Sequence, residues 1–165
     1  MDEQELEKSK SMAMICWSSD LDRVWPVLIL ATTAAASGLE VELFFTFWGL
    51  RVLQRNEIRS TGANWMQKAE SLVDRGGTDN LKLGKIHFGG MGTKMIKMLA
   101  NEHNVSSPTE LLGMAQDLGV RLYPCQMTMD LYGLKKDDFI EGVEAPIGAA
   151  SFINMAAEAD ITMFI

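Results

Sequence analysis

The chain has 165 residues, only two of them cysteine, and a formal net charge of −7. That length fits one domain with a core of its own, and two cysteines exclude a disulfide framework. The acidic balance, with Lys and Arg scattered rather than clustered, argues against a nucleic-acid-binding surface, so no nucleic-acid partner is expected.

In chain order, residues 1–11 read as a flexible charged tail, with no apolar segment of the signal-peptide kind. Residues 12–165 read as a single domain. "MAMICW" (12–17) is a continuous apolar run that predicts a buried strand. "SSDLD" then offers Ser19 or Asp20 as the cap of a helix running to about Ser37, where Gly38 stops it. The longest apolar stretch, 24–36, contains Pro26 and two threonines and is too short to span a bilayer. No transmembrane segment is expected, and the location is expected to be cytoplasmic, where thiols stay reduced. "LEVELFFTF" (39–47) predicts a second strand, so the first three elements form a βαβ unit, the building block of parallel sheets.

"NWMQKAESLVDRGG" (64–77) predicts a helix, and "LGKIHF" (83–88) a short strand or loop. "GGMGTKMIKMLANEH" (89–103) predicts a helix opening from a glycine turn. "SSPTELLGMAQDLGV" (106–120) carries a capping box, with Ser107 at the cap, Pro108 in the first turn and Glu110 at the third position. "VRLYPCQ" (120–126) predicts the next strand, "APIGAASFINMAAEAD" (145–160) a last helix, and "ITMFI" a closing strand. The fold class is therefore α/β: three layers, α/β/α, around a mostly parallel sheet of four to five strands.

Functional groups in such sheets gather at the carboxyl ends of strands. Cys125 falls at such an end, where "QMTMD" starts a helix. Cysteines at helix N-termini are held more readily as the thiolate, which is the nucleophile. Cysteine is also among the most buried residue types, so a packing role stands beside the chemical one. Cys16 lies inside an apolar run, on one face with Met12 and Met14, and reads as a buried structural thiol. "FGGMGTK" matches neither the phosphate-loop nor the dinucleotide pattern. A helix opening after glycines still has the means to hold an anion, which marks Gly89, Gly90, Gly92 and Thr93, with Trp48 and Met127, as a candidate pocket. Met91, Met95 and Met98 share one helix face and read as core. The two histidines and two cysteines show no ligand spacing, so no metal and no cofactor is expected.

"GVRLYPCQMTMDLYGLKKDDF" (119–139) and the closing "EADITMFI" resemble the DsrE/DsrF-like family of sulfur-relay proteins. "FFTFWGL", "GGMGTKM" and "CQMTMD" resemble a larger subgroup of it, sometimes labelled peroxiredoxin-like. The resemblance covers residues 12–165. It implies a sulfurtransferase or sulfur carrier that takes sulfane sulfur as a persulfide on Cys125 and passes it to a partner thiol. It further implies donor and acceptor proteins of TusA-like or rhodanese-like type, and a homo-oligomer. Only Cys125 carries over by position, and Asp130, five residues on, has no role assigned. Segment 51–90, which the shortest family members lack, reads as a mobile cover over the cysteine. Two rivals remain: a non-catalytic module binding a small anion or a protein on the same fold, and peroxidase-type chemistry with Cys16 as resolving thiol.

Overall fold

The structure, a computed structural model, describes residues 9–56, 76–85 and 90–165. Residues 64–75 of the helix expected at 64–77 and half of the strand or loop expected at 83–88 lie outside the described residues. The elements are β1 (Ser11–Cys16), α1 (Leu21–Ala36), β2 (Glu40–Phe45), α2 (Met91–Glu102), α3 (Pro108–Asp117), β3 (Arg121–Pro124), α4 (Gln126–Tyr132), α5 (Ala149–Glu158) and β4 (Ile161–Phe164). A 3-10 turn, Phe47–Leu53, follows β2. The four strands form one sheet in the order β3-β2-β1-β4, and every pair is parallel.

Handedness decides which helix covers which face. A crossover between parallel strands is right-handed almost without exception. The chain steps from β1 to β2 to β3 in one direction, which places α1 and α3 on one face. It then reverses from β3 to β4, which places α5 on the other. The first face holds the main core: Met12, Met14 and Cys16 of β1, Val41, Leu43 and Phe45 of β2, and Leu122 of β3 pack against α1 and α3. Helix α1 buries Leu21, Val24, Trp25, Leu28, Ala31 and Thr32, the spacing of a single helical stripe. The second face holds a smaller cluster of Ala13, Phe44, Cys125 and Phe152.

Two local expectations meet different outcomes. The capping box forms: Ser107 Oγ accepts the Glu110 N–H, and the Glu110 carboxylate accepts the Ser107 N–H at 2.7 Å. These bonds hold the Glu110 carboxyl below the usual carboxylate range. Asp20 occupies the cap position of α1 but makes no side-chain capping bond. Its own N–H is taken by Ser18 Oγ, and its carboxylate turns toward Arg23. The methionine stripe of α2 faces outward, with Met91 75% exposed, so the core reading of Met91, Met95 and Met98 does not hold. Gly92 is the buried residue of that helix.

The chain leaves β2 through a close approach of backbone to backbone. Gly49 donates its N–H to the Trp17 carbonyl at 3.0 Å, and a Cβ there would overlap the carbonyl of Cys16. Neither contact is a flexible side chain, so nothing nearby can yield cheaply. Gly49→Ala is accordingly expected to lower stability by a few kcal/mol, at the large end of single substitutions (~3 kcal/mol or more). A urea midpoint equal to that of the parent would show that the two backbones can separate.

Candidate functional site

Cys125 is the last residue before α4, in extended conformation, and the sheet grips it from two sides. Its N–H donates to the Phe45 carbonyl at 2.9 Å, which prolongs the β2–β3 ladder by one rung. On the other side, Glu144 N–H donates to Leu122 O, Ile147 N–H to Pro124 O, and Gln126 N–H to Ile147 O at 3.0 Å. Residues 144–147 thus run as a short parallel partner along the outer edge of β3. The Cys125 carbonyl then accepts the Met129 N–H, the opening bond of α4.

Helix α4 is anchored to the exit of β2 by Thr128, which is completely buried. Its Oγ1 accepts the Phe47 N–H at 3.1 Å and lies 3.2 Å from Thr46 Oγ1. Phe47 holds a left-handed backbone, φ 47°, which costs a non-glycine residue energy and is maintained by this bond. Sequence reasoning did not single out Thr128. Its one signal was a threonine set between methionines in a short helix.

Cys125 is 2% exposed. It lies among Ala13, Phe44 and Phe152, with Ile15, Tyr123 and Ile147 packed alongside. The Phe44 and Phe152 rings stack at 4.8 Å between centroids. Phe152 was also missed, although it is the single aromatic in an alanine-rich helix. Asp130 faces away from this cluster; it is exposed and accepts a hydrogen bond from Gln126 Nε2 at 2.8 Å.

Cys16 ends β1 on the opposite face of the sheet. Burial pushes its thiol up to about 12, against a smaller lowering by a backbone hydrogen bond of Ser18. It is a neutral, inert packing group at physiological pH. A sheet separates it from Cys125, so the resolving partner that peroxidase-type chemistry requires is not within this chain's reach.

The remaining candidates lie in separate places. Gly90 starts α2 in a left-handed conformation, and Thr93 Oγ1 accepts the Leu83 N–H at 3.1 Å. That turn is knitted to the segment beside α1, where Leu21 N–H bonds Lys82 O and Gly84 N–H bonds Asp22. Trp48 stacks on Tyr132 at 5.8 Å, with the Arg51 guanidinium over its ring. Tyr132 ends α4, seven residues from Cys125, or about 10 Å along the helix. Met127 is exposed on the outer side of α4. Gly89 lies outside the described residues, as does most of the cover expected from 51–90. Among the described residues no cluster of three or more His, Cys, Asp or Glu is placed to hold a metal, and no helix is long and apolar enough to cross a membrane.

Residues 8–164 match the model of the DsrE/DsrF/DrsH-like family. The chain belongs to that family. It is 37% identical over 161 residues to the sulfur carrier protein DsrE2 of Allochromatium vinosum, covering 96% of this chain and 99% of that one. It is 35% identical over 159 residues, with the same coverage, to YrkE of Bacillus subtilis, an uncharacterized protein. The fold is shared with the ychN protein of E. coli, at a TM-score of 0.59 and 12% identity, covering 94% of this chain and 99% of that one. It is also shared with MTH1491 of Methanobacterium thermoautotrophicum, at a TM-score of 0.55 and 15% identity, with the same coverage.

The raised pKa of Cys16 has a consequence for stability. Below 9.0, its ordinary value, the thiol is protonated whether the chain is folded or not. As pH rises from there toward about 12, the unfolded chain loses the proton and the folded one keeps it. Stability should therefore fall across that window by up to roughly 1.4 kcal/mol per pH unit. Cys16→Ala should flatten this alkaline slope in urea titrations; an unchanged slope would mean that the thiol is not sealed in the core.

Proposed function

We propose that the protein is a sulfur carrier that takes sulfane sulfur on Cys125 and passes it to the thiol of a partner protein. The observation that carries this reading is the placement of Cys125 at the junction of β3 and α4, in a chain similar along nearly its whole length to a named sulfur carrier. The chemistry needs little else. The Cys125 thiolate attacks the outer sulfur of a donor persulfide, R–S–SH. The donor's S–S bond breaks, R–S⁻ leaves, and Cys125 carries the persulfide. An acceptor thiolate then attacks the terminal sulfur, and Cys125 departs as thiolate. Electrons balance at each step, so neither metal nor nucleotide is called for.

Donor and acceptor are proteins of TusA-like or rhodanese-like type, a reading supported by family membership alone. The location is cytoplasmic, in keeping with two thiols kept free. Self-association has a physical basis as well. Strand β4 is apolar and exposed along its length, with Phe164 68% exposed, and Ile153 of α5 stands out beside it. A contiguous apolar surface of this kind marks an interaction site. Phe164→Asp is expected to shift the protein toward the monomer in light scattering after gel filtration; an unchanged mass would place the interface elsewhere.

One observation favours the second reading, a binding module without thiol chemistry: the burial of Cys125. Intact-mass analysis after exposure to polysulfide or thiosulfate separates the two. Wild type and Cys16→Ser are expected to gain sulfur increments that dithiothreitol removes, whereas Cys125→Ser gains none. Loading that persists in Cys125→Ser would move the site, and wild type that never loads would leave the binding module.

A further inference from the structure

A carrier thiol has to be reached, because thiolate attack requires the incoming sulfur–sulfur bond in line with the nucleophile. Resting on the sulfur-carrier reading, we infer that Phe152 is the gate to Cys125: its ring swings from the Cys125 cluster into the adjoining groove between α5 and strands β1 and β4, and admits the donor.

Phe152 is the buried residue of α5, a helix whose other positions are exposed or half-buried. Phe152 and the half-buried Ala156 are the residues of this helix that pack on the Cys125 cluster, and Phe152 is the one large side chain of the two. The same ring forms a wall of a groove of about 450 Å³, floored by Ala13 and Ile15 of β1 and Thr162 of β4, and flanked by Ala157 and Phe164. Phe152 thus belongs both to the Cys125 cluster and to the wall of this groove, and it is the aromatic ring common to the two. The groove is larger than a phenyl ring and mostly apolar, so the ring keeps apolar contacts on its inner side when it swings. Opening forfeits the stack on Phe44 and part of the burial of the ring.

The helix itself is held at both ends, which leaves the side chain as the part that moves. At its start, Ile147 is bonded to Pro124 and Gln126, and the Phe152 N–H itself donates to Gly148 O at 3.2 Å. Beyond its end, the Asp160 N–H donates to Ser11 O at 3.1 Å, and the Asp160 carboxylate accepts the Ser11 N–H at 2.8 Å. Lifting α5 off the sheet would break both sets of bonds; rotating Phe152 breaks none.

Iodoacetamide labelling of the full-length Cys16→Ser protein, followed by mass, tests the gate without any sulfur chemistry. In that background Cys125 is the sole thiol. Its labelling rate is expected to be independent of low, non-denaturing urea, as for a local opening. Phe152→Ala should raise the rate on the order of tenfold or more, as removal of a local cover does. Ala157→Phe, which fills the groove from the exposed side, should slow labelling, because the ring then has nowhere to go. The Ala157 variant decides the matter should Phe152→Ala fail to fold. Labelling that climbs steeply with low urea, or a rate in folded Ala157→Phe equal to the parent's, would overturn the gate. Because labelling reads access and sulfur loading reads function, a failure of one does not imitate a failure of the other.

Discussion

Side chains alternate across a strand, and this pleat governs where the two thiols of the protein lie. Register places Cys16 opposite Phe45 and Phe45 opposite Pro124, so the two cysteines end up at the same edge of the sheet. Parity then separates them. Cys16 shares a face with Met12 and Met14, while Cys125 shares the other with Phe44. Two thiols that a one-dimensional view would pair are divided by a layer of backbone. Carrier chemistry at one thiol is compatible with this arrangement, and an internal dithiol exchange is not.

Crossover handedness sets how deeply each thiol is covered. Reversal of the strand order after β3 sends α1 and α3 to the face of Cys16 and α5 to that of Cys125. The first face is sealed by two helices, and desolvation there holds the thiol neutral. The second is sealed by one helix with one anchoring ring, in a short cluster continuous with an open groove. Burial alone does not distinguish the two cysteines. What distinguishes them is how much structure must move to expose each.

The exit of β2 ties these layers together. Gly49 lets the 3-10 turn lie directly on the end of β1, and the strained Phe47 presents its N–H to Thr128. Thr128 fixes α4, whose opening residue follows Cys125. The position of Cys125 is therefore set by backbone hydrogen bonds from β2, from residues 144–147 and from its own helix, rather than by charged neighbours. Trp48, Tyr132 and Arg51 form a separate cluster at the far end of that helix.

Much of this was legible in the sequence, because it depends on residues near one another in the chain. The capping box of Ser107 and Glu110 needs a spacing of three; the βαβ opening needs two apolar runs and a helix between them; Cys125 reads as a strand-to-helix junction from the ten residues around it. The family signature spans the same local patterns. Other features rest on contacts between distant segments, and no local pattern contains them. Asp20 has the right residue type for a cap, yet Ser18 and Arg23 claim it. The α2 methionines have core periodicity, yet they face outward. Phe152 looks like one more apolar residue until the reversal of the sheet lays it beside a cysteine 27 positions earlier. The sequence by itself pointed to the four strands, the helices that join them and their parallel pairing, and it marked Cys125 as the candidate thiol. Only the tertiary structure decided which face each thiol occupies and what covers it, because burial is a property of neighbours that the chain brings together after long crossovers.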